Sequence, residues 1–338
     1  MKTWEYIVRR LLLLIPVLLG VTVITFVVSH VIPADPAMAF AGGPKAQPET
    51  IARIRAELHL DQPLIIQYFY YLNDLIHFNL GKSYLENRPV TECISQYFPA
   101  TFELTIFAML ITVPLGIVGG IISAIKRDKP IDHVTRFIAI VGYSLPIFWL
   151  ALMLQYLFAY QLPVFPLEGR LPIGVSSPPS FTGLYVLDSL LSGDLVKCGQ
   201  AIYHLIMPAF TLGFATLALI LRMTRSSMLE TLGMDYIRTA RAKGLPERDV
   251  VYKHALRNAL IPTVTVVGLQ FGALLAGAVL TETIFNWPGM GRFAASAVLA
   301  LDFNSVMGFT IVVALIYVIA NLIVDLLYGI LDPRVRLE

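Results

Sequence analysis

Charge is scarce in this sequence. Only 14% of its 338 residues are Asp, Glu, Lys or Arg, while 57% are hydrophobic; soluble domains carry about 25% charged residues. A water-soluble chain of this length could not hide so much apolar surface in one core, so the composition points to lipid as the solvent. Cysteine is nearly absent: Cys93 and Cys198 are the two, with no CxxC and no Cys/His cluster at metal-ligand spacing. The six histidines (His30, His59, His77, His133, His204, His254) are scattered, with no pair at ligand spacing, which argues against a metal site built from this chain alone. Neither Gly-x-Ser-x-Gly nor His-Glu-x-x-His occurs. Gly81-Lys82-Ser83 imitates the end of a P-loop, but Ile76 stands where the first glycine is required. The net charge of +2 implies no nucleic-acid partner. No catalytic residue, no cofactor and no ATP hydrolysis are therefore expected of this chain.

What the sequence has is long uncharged runs. Six are near the length that crosses a bilayer: Leu11–Ser29, Leu104–Ile125, Phe137–Tyr160, Leu205–Leu221, Pro262–Thr281 and Ser305–Val324. The fourth is the shortest. The first follows Arg9-Arg10, so a cleaved signal peptide is the competing reading; Pro33 and Asp35 follow it instead of a small-residue cleavage site, which favours retention. Lys and Arg set the orientation. They crowd the N-terminus (Lys2, Arg9, Arg10), the second loop (Lys126, Arg127, Lys129, Arg136), the fourth loop (Arg222 to Arg257) and the C-terminus (Arg334, Arg336). The third loop has Arg170 and Lys197, and the fifth has Arg292 alone. Lys45, Arg53, Arg55, Lys82 and Arg88 lie in a first loop too long to count in this rule. Both termini are expected in the cytoplasm.

Two outer loops exceed what a connector needs. In the first, Glu49–Leu58 and Leu64–His77 have helical apolar spacing around a break at Asp61-Gln62-Pro63. The second opens Pro-rich and reads as an amphipathic helix near Tyr185–Ile202. Each suits a docking surface for an extracytoplasmic partner or a structural cap. Cys93 and Cys198 both fall in these loops, where a bridge and two free thiols are both open. Gly116, Gly119, Gly120, Gly268, Gly272, Ala276 and Gly277 allow close helix approach; packing is the simpler account, substrate contact the alternative. Asp325, with Asn321 one turn before it, is the carboxylate within a span, and Arg334 and Arg336 suggest a structural ion pair.

The stretch Arg222–Pro262 is too ordered to be a spacer. Arg225–Leu232 continues the fourth run, Gly233 breaks it, and Met234–Lys243 forms a short basic helix with small Ala240 and Ala242. Gly244 supplies a left-handed helix end where a side chain would clash, and Pro246-Glu247 open a further helix to about Leu260. The string from Tyr236 through Arg238, Ala240, Arg241, Lys243 and Gly244 to Leu245, then His254-Ala255-Leu256-Arg257-Asn258-Ala259-Leu260-Ile261-Pro262, closely resembles the EAA loop of the peptide/nickel permeases of ABC importers. Against the general pattern E-A-A-x3-G-x9-I-x-L-P, Ala240, Gly244 and Leu256 match, whereas Arg238, Thr239, His254 and Arg257 depart. Asp35-Pro36, Arg88-Pro89-Val90, Pro288-Gly289-Met290-Gly291-Arg292 and Leu331-Asp332-Pro333-Arg334-Val335-Arg336 resemble the B-type subunit of the same family, so the likeness runs the whole chain.

The resemblance implies an all-α, six-span type I ABC importer permease in the cell membrane of a bacterium or archaeon. It divides the chain into residues 1–99, a first span with a long outer loop, and residues 100–338, a five-span core with its coupling loop at about 222–262. It further implies a second, C-type permease subunit, two cytoplasmic ATPases, an extracytoplasmic substrate-binding protein and surrounding membrane lipid. Tyr236, Arg238, Ala240, Arg241, Lys243, Gly244 and Leu256 would form the ATPase-coupling loop. Gln155, Gln270 and Asn321 are polar candidates for the pathway, with interhelical hydrogen bonds the alternative for each. The cargo is a short peptide, an oligosaccharide or nickel. A stand-alone secondary carrier is the competing function, although such carriers usually show intramembrane charges or broken-helix repeats. A membrane-embedded enzyme would need a catalytic cluster, and none is visible.

Overall fold

The computed structural model describes residues 3–31, 37–38, 47–57 and 59–331. Apart from a single β-bridge between Lys82 and Pro89, the regular structure among them is helical. The expected motifs at Asp35-Pro36 and Asp332–Arg336, and the side chain of Asp325, lie outside what is described. The helices are α1 (Thr3–Val31), α2 (Pro48–Glu57), α3 (Leu64–Ile76), α4 (Val90–Ile125), α5 (Pro130–Ser144), α6 (Ile147–Leu154), α7 (Tyr185–Leu191), α8 (Leu195–Leu232), α9 (Asp235–Ala242), α10 (Leu256–Gly277), α11 (Val279–Ile284), α12 (Met290–Leu299) and α13 (Phe303–Leu331). Helix α6 continues as a π-helical segment over Gln155–Gln161, and a second π-helical segment, Val250–Ala255, leads into α10.

Among the described residues, four helices are long and apolar enough to cross a membrane: α4, α8, the continuous rod from Glu247 to Ala276, and α13. The α5–α6 pair makes a fifth if it is counted as one span, and α1 carries a shorter described apolar stretch, Leu12–Val27. The third expected run, Phe137–Tyr160, is not one straight helix. It bends by 109° at Leu145-Pro146. The proline ring excludes α geometry from the preceding residue, and Leu145 is extended (φ −76°, ψ 129°). The fourth run proves the longest instead of the shortest. Helix α8 has 38 residues, about 57 Å at 1.5 Å each, because Lys197, Arg222 and Arg225 interrupt the apolar run without interrupting the helix.

Helix α8 is the centre of the fold, packing on α4, α5 and α10, while α13 packs on α10 and α1. Of the apolar window of α8, 72% is buried within the molecule, against 17% for α13, which leaves most of its surface exposed. The small residues explain the intimacy of α4 and α8. A Cβ on Gly116 would lie 2.7 Å from Ile220, and one on Gly120 would lie 2.6 Å from Thr224 and 2.9 Å from the Leu221 carbonyl. A Cβ on Gly213 would overlap the Thr112 side chain and lie 3.2 Å from the Ala108 carbonyl, and Gly268 and Gly272 seat α13 through Val324 and Ala320. The glycines thus serve packing, as small residues do between spans.

The first long loop holds α2 and α3 with the expected break between them. In the second, the helix expected over Tyr185–Ile202 is divided. Helix α7 ends at Leu191, Gly193 turns the chain at φ +75°, and Asp194 caps α8 by accepting from the Lys197 amide at 2.9 Å. Cys93 and Cys198 are buried and free, in α4 and α8, so no bridge joins the outer loops. The division expected at residue 99 falls inside α4, which is continuous there.

A paired substitution tests the α4–α8 contact. Gly120→Ala meets backbone that cannot withdraw and should destabilise by roughly 1–3 kcal/mol. Gly119→Ala meets only the Leu221 side chain, at 3.2 Å, and should be nearly neutral. Thermal unfolding of the detergent-solubilised chain measures both.

Candidate functional site

Helix α9 is short, and two of its residues are held by the rest of the molecule. Ile237 and Ala240, three apart and so on one face, are 0% and 7% exposed. They pack with Ile121, Met228, Val250 and Ala259. This corrects one expectation: Ala240 faces the protein's own core, and Ala242 is the small residue left outside. Tyr236, Arg238, Arg241 and Lys243 are exposed, and Leu256 is half-buried against the same cluster. Arg238 pairs loosely with Asp235 at 3.4 Å. Arg241 grips Glu247 with two bonds of 2.7 and 3.1 Å, tying α9 to the turn that begins the next rod. Asn258 donates to the Tyr236 hydroxyl at 2.8 Å, making a second tie. Gly244 is left-handed (φ +75°), as expected, but nothing lies within 4 Å of where its Cβ would be. Backbone geometry, not a clash, is what requires glycine there.

A buried carboxylate anchors the same end of the bundle. Asp132, in the first turn of α5, is 0% exposed. It accepts from Ser123 Oγ at 2.5 Å, from the Asp128 amide at 3.0 Å, and from Arg225 Nε and Nη2 at 2.7 and 2.8 Å. Three helices, α4, α5 and α8, meet in that one constellation. The sequence reading missed it, although a signal was present: two acids, Asp128 and Asp132, set among the basic residues of a short loop.

On the opposite, loop-rich side, four further carboxylates are buried. Glu103 pairs with Arg170 at 2.6 Å and accepts from the Val186 amide, and the Arg170 guanidinium lies 3.5 Å from the centre of the Tyr185 ring. Asp188 closes the turn at Thr182-Gly183, and Asp302 binds Ser83, the Leu85 amide and Ser305. Ser83, in the false P-loop, is thus a structural partner. Glu282 accepts from Thr101 at 2.5 Å and from the Arg292 amide at 2.9 Å, and Trp287 Nε1 donates to the Ala100 carbonyl at 2.9 Å. Burial pushes the Glu282 carboxyl above its usual range, against the lowering effect of Thr101 and the amides of the α12 N-terminus. Gly289 passes so close to this carboxylate that a Cβ would overlap it, which explains the Pro288–Arg292 motif in steric terms.

The three pathway candidates lie on different elements. Gln155 donates to the Leu167 and Ile284 carbonyls at 2.9 and 3.1 Å, and Gln270 accepts from Thr216 at 3.2 Å. Asn321 Oδ1 is buried without a protein partner. Among the described residues no group of three or more His, Cys, Asp and Glu could hold a metal.

Comparison with known proteins fits this architecture. Residues 116–337 match the family model described as the binding-protein-dependent transport system inner membrane component, and residues 3–105 match its N-terminal companion. This chain belongs to that family. It is 50% identical over 335 residues to the dipeptide transport system permease protein DppB of Alkalihalophilus pseudofirmus, covering 98% of this chain and 99% of the relative. It is 46% identical over 332 residues to the di/tripeptide permease DppB of Pseudomonas aeruginosa and 45% over 334 residues to DppB of Escherichia coli K12, with 98% of each chain covered in both cases. The family is a multi-pass inner-membrane one, as the apolar helices require.

Removing one partner of the α4–α5–α8 anchor leaves a buried charge unpaired. Asp132→Asn or Arg225→Gln should each cost on the order of 3 kcal/mol. The measurement is the thermal midpoint of the solubilised chain; an unshifted midpoint would show that the anchor contributes nothing.

Proposed function

We propose that this chain is one of two permease subunits of an ATP-driven importer and forms half of the translocation pathway for short peptides delivered by a binding protein. The observation that carries this reading is α9: a basic helix left exposed on one side and fastened on the other to α4, α8 and the rod that becomes α10. Such an arrangement passes a push on α9 directly to three long helices. The relatives' names, which specify dipeptide and di/tripeptide transport, support peptide as the cargo class. In this reading α1, α4, the bent α5–α6 pair, α8, α10 and α13 make six spans, and the distribution of Lys and Arg puts both termini in the cytoplasm. Two ATPase subunits receive α9 and its counterpart on a second permease, and hydrolysis takes place there, not in this chain. The ordered outer loops carry the binding protein.

Two experiments test the reading. A cysteine at the exposed Ala242 should crosslink to an ATPase subunit with an efficiency that changes when ATP is added. Purification of the chain with no ATPase and no second permease would instead favour a stand-alone carrier. Separately, Gly244→Val forces a β-branched residue into a left-handed conformation at a cost of roughly 1–2 kcal/mol and should abolish dipeptide uptake while insertion persists. Gly244→Asn, which tolerates that conformation, should keep most uptake. Equal uptake by both variants would sink the role given to this turn.

A further inference from the structure

Between α5 and α8 lies an open groove of about 580 Å³ that the transport reading does not use. Its floor is Ala139, Ile140 and Tyr143 from α5 and Leu221 from α8, and Arg136, Arg222 and Arg225 stand at its edge. The floor is apolar and uncovered: Ile140 is 66% and Tyr143 68% exposed. The three guanidiniums are not equivalent. Arg225 is committed to Asp132 through two bonds and to Ser123 through a third. Arg136 reaches only the His133 ring, at 3.1 Å, and Arg222 lies 5.4 Å from the centre of the Tyr143 ring. Among the described residues neither Arg136 nor Arg222 has a carboxylate within ion-pair distance. The groove therefore joins two uncompensated cations to an apolar trough, in a chain that lives in a bilayer.

We infer that this groove is a binding site for an anionic phospholipid, the phosphate held between Arg136 and Arg222 and an acyl chain lying over Ile140, Tyr143 and Leu221. Charge complementarity selects the occupant. A basic pocket between membrane helices at the end of a span is what an acidic headgroup fits. A soluble phosphate would satisfy the arginines but leave the apolar floor bare. A zwitterionic lipid would cover the floor but bring its own cation to two more. The position matters because the groove walls are the two helices that Asp132 and Arg225 bolt together, so an occupied groove stiffens the bundle end from which α9 hangs.

The test uses the assembled importer in mild detergent, washed free of lipid and titrated with phosphatidylglycerol or cardiolipin, with phosphatidylcholine and inorganic phosphate in parallel arms, and read by native mass spectrometry. Both anionic lipids should bind, with phosphatidylcholine at least tenfold weaker. Arg136→Gln and Arg222→Gln should each lower anionic-lipid affinity about fivefold, and the Arg136→Lys/Arg222→Lys double variant should retain most of it. Neither glutamine variant touches the Asp132–Arg225 pair, and an unchanged thermal midpoint in lipid-free detergent confirms that they fold. Equal binding of phosphatidylcholine would overturn the proposal. So would displacement of the lipid by an equal concentration of inorganic phosphate, which would make the groove a soluble-anion site. Binding by the isolated chain but not by the assembled importer would also overturn it, since the second permease would then cover the groove.

Discussion

Everything in this molecule depends on how closely α4 can approach α8. In lipid no hydrophobic force drives two apolar helices together, because the acyl chains are as good a neighbour as leucine. What remains is close packing, and it requires residues with nothing in the way. Gly116, Gly120 and Gly213 provide that at successive turns, where each missing Cβ would stand within van der Waals overlap of the opposite helix. Once α8 is seated on α4, the bent α5–α6 pair and α10 have a surface to pack on, and α13 closes over α10 through Gly268 and Gly272.

The scarce charges then acquire a consistent meaning. Glu103, Asp132, Asp188, Glu282 and Asp302 are all at most 3% exposed; the donors to Glu103, Asp132, Glu282 and Asp302 include groups from segments far apart in sequence, whereas those to Asp188 are the local Thr182 and Gly183. Burying a carboxylate is costly unless it is fully hydrogen-bonded, so each of these sites tolerates essentially one arrangement of the chain around it. The close-packed glycines bring helices together, and the carboxylates specify which loop lies where. The loop-rich end is therefore ordered by polar contacts, while α4 and α8 are ordered by shape.

Much of this was legible in the residues and some was not. The apolar runs marked the long helices, and Gly233, Gly244 and Pro246 marked the elements around α9, because helix stops and left-handed turns are local properties. The left-handed Gly244 followed from sequence; the empty space around it did not, since space is a tertiary fact. The inward face of Ala240 escaped for the same reason. The 109° bend at Leu145-Pro146 was hidden inside a run whose hydropathy is uninterrupted, although the proline was there to be weighed. The length of α8 was underestimated because charge ended the run but not the helix. The carboxylate anchors were least legible. Asp132 and Arg225 are 93 residues apart, and no spacing rule connects them. The pathway candidates Gln155 and Gln270 found partners that only the fold could reveal.

The π-helical segment Val250–Ala255 has a consequence for how this loop can be exchanged. A π-helical turn holds about one residue more than an α-helical one, so it offsets the angular phase of Glu247–Asp249, at the start of the rod, by about 100° relative to α10. Glu247, at the start of that rod, is the residue Arg241 grips, so the offset sets where α9 is tied. Deleting a single residue between Val250 and Ala255 would restore regular phase and rotate Glu247 away from Arg241, loosening that tie with no change in any residue of α9 itself. The loop is therefore a phased cassette: grafted onto another permease, it would keep its outward face only if the stretch from Asp235 through Ala255 travelled intact.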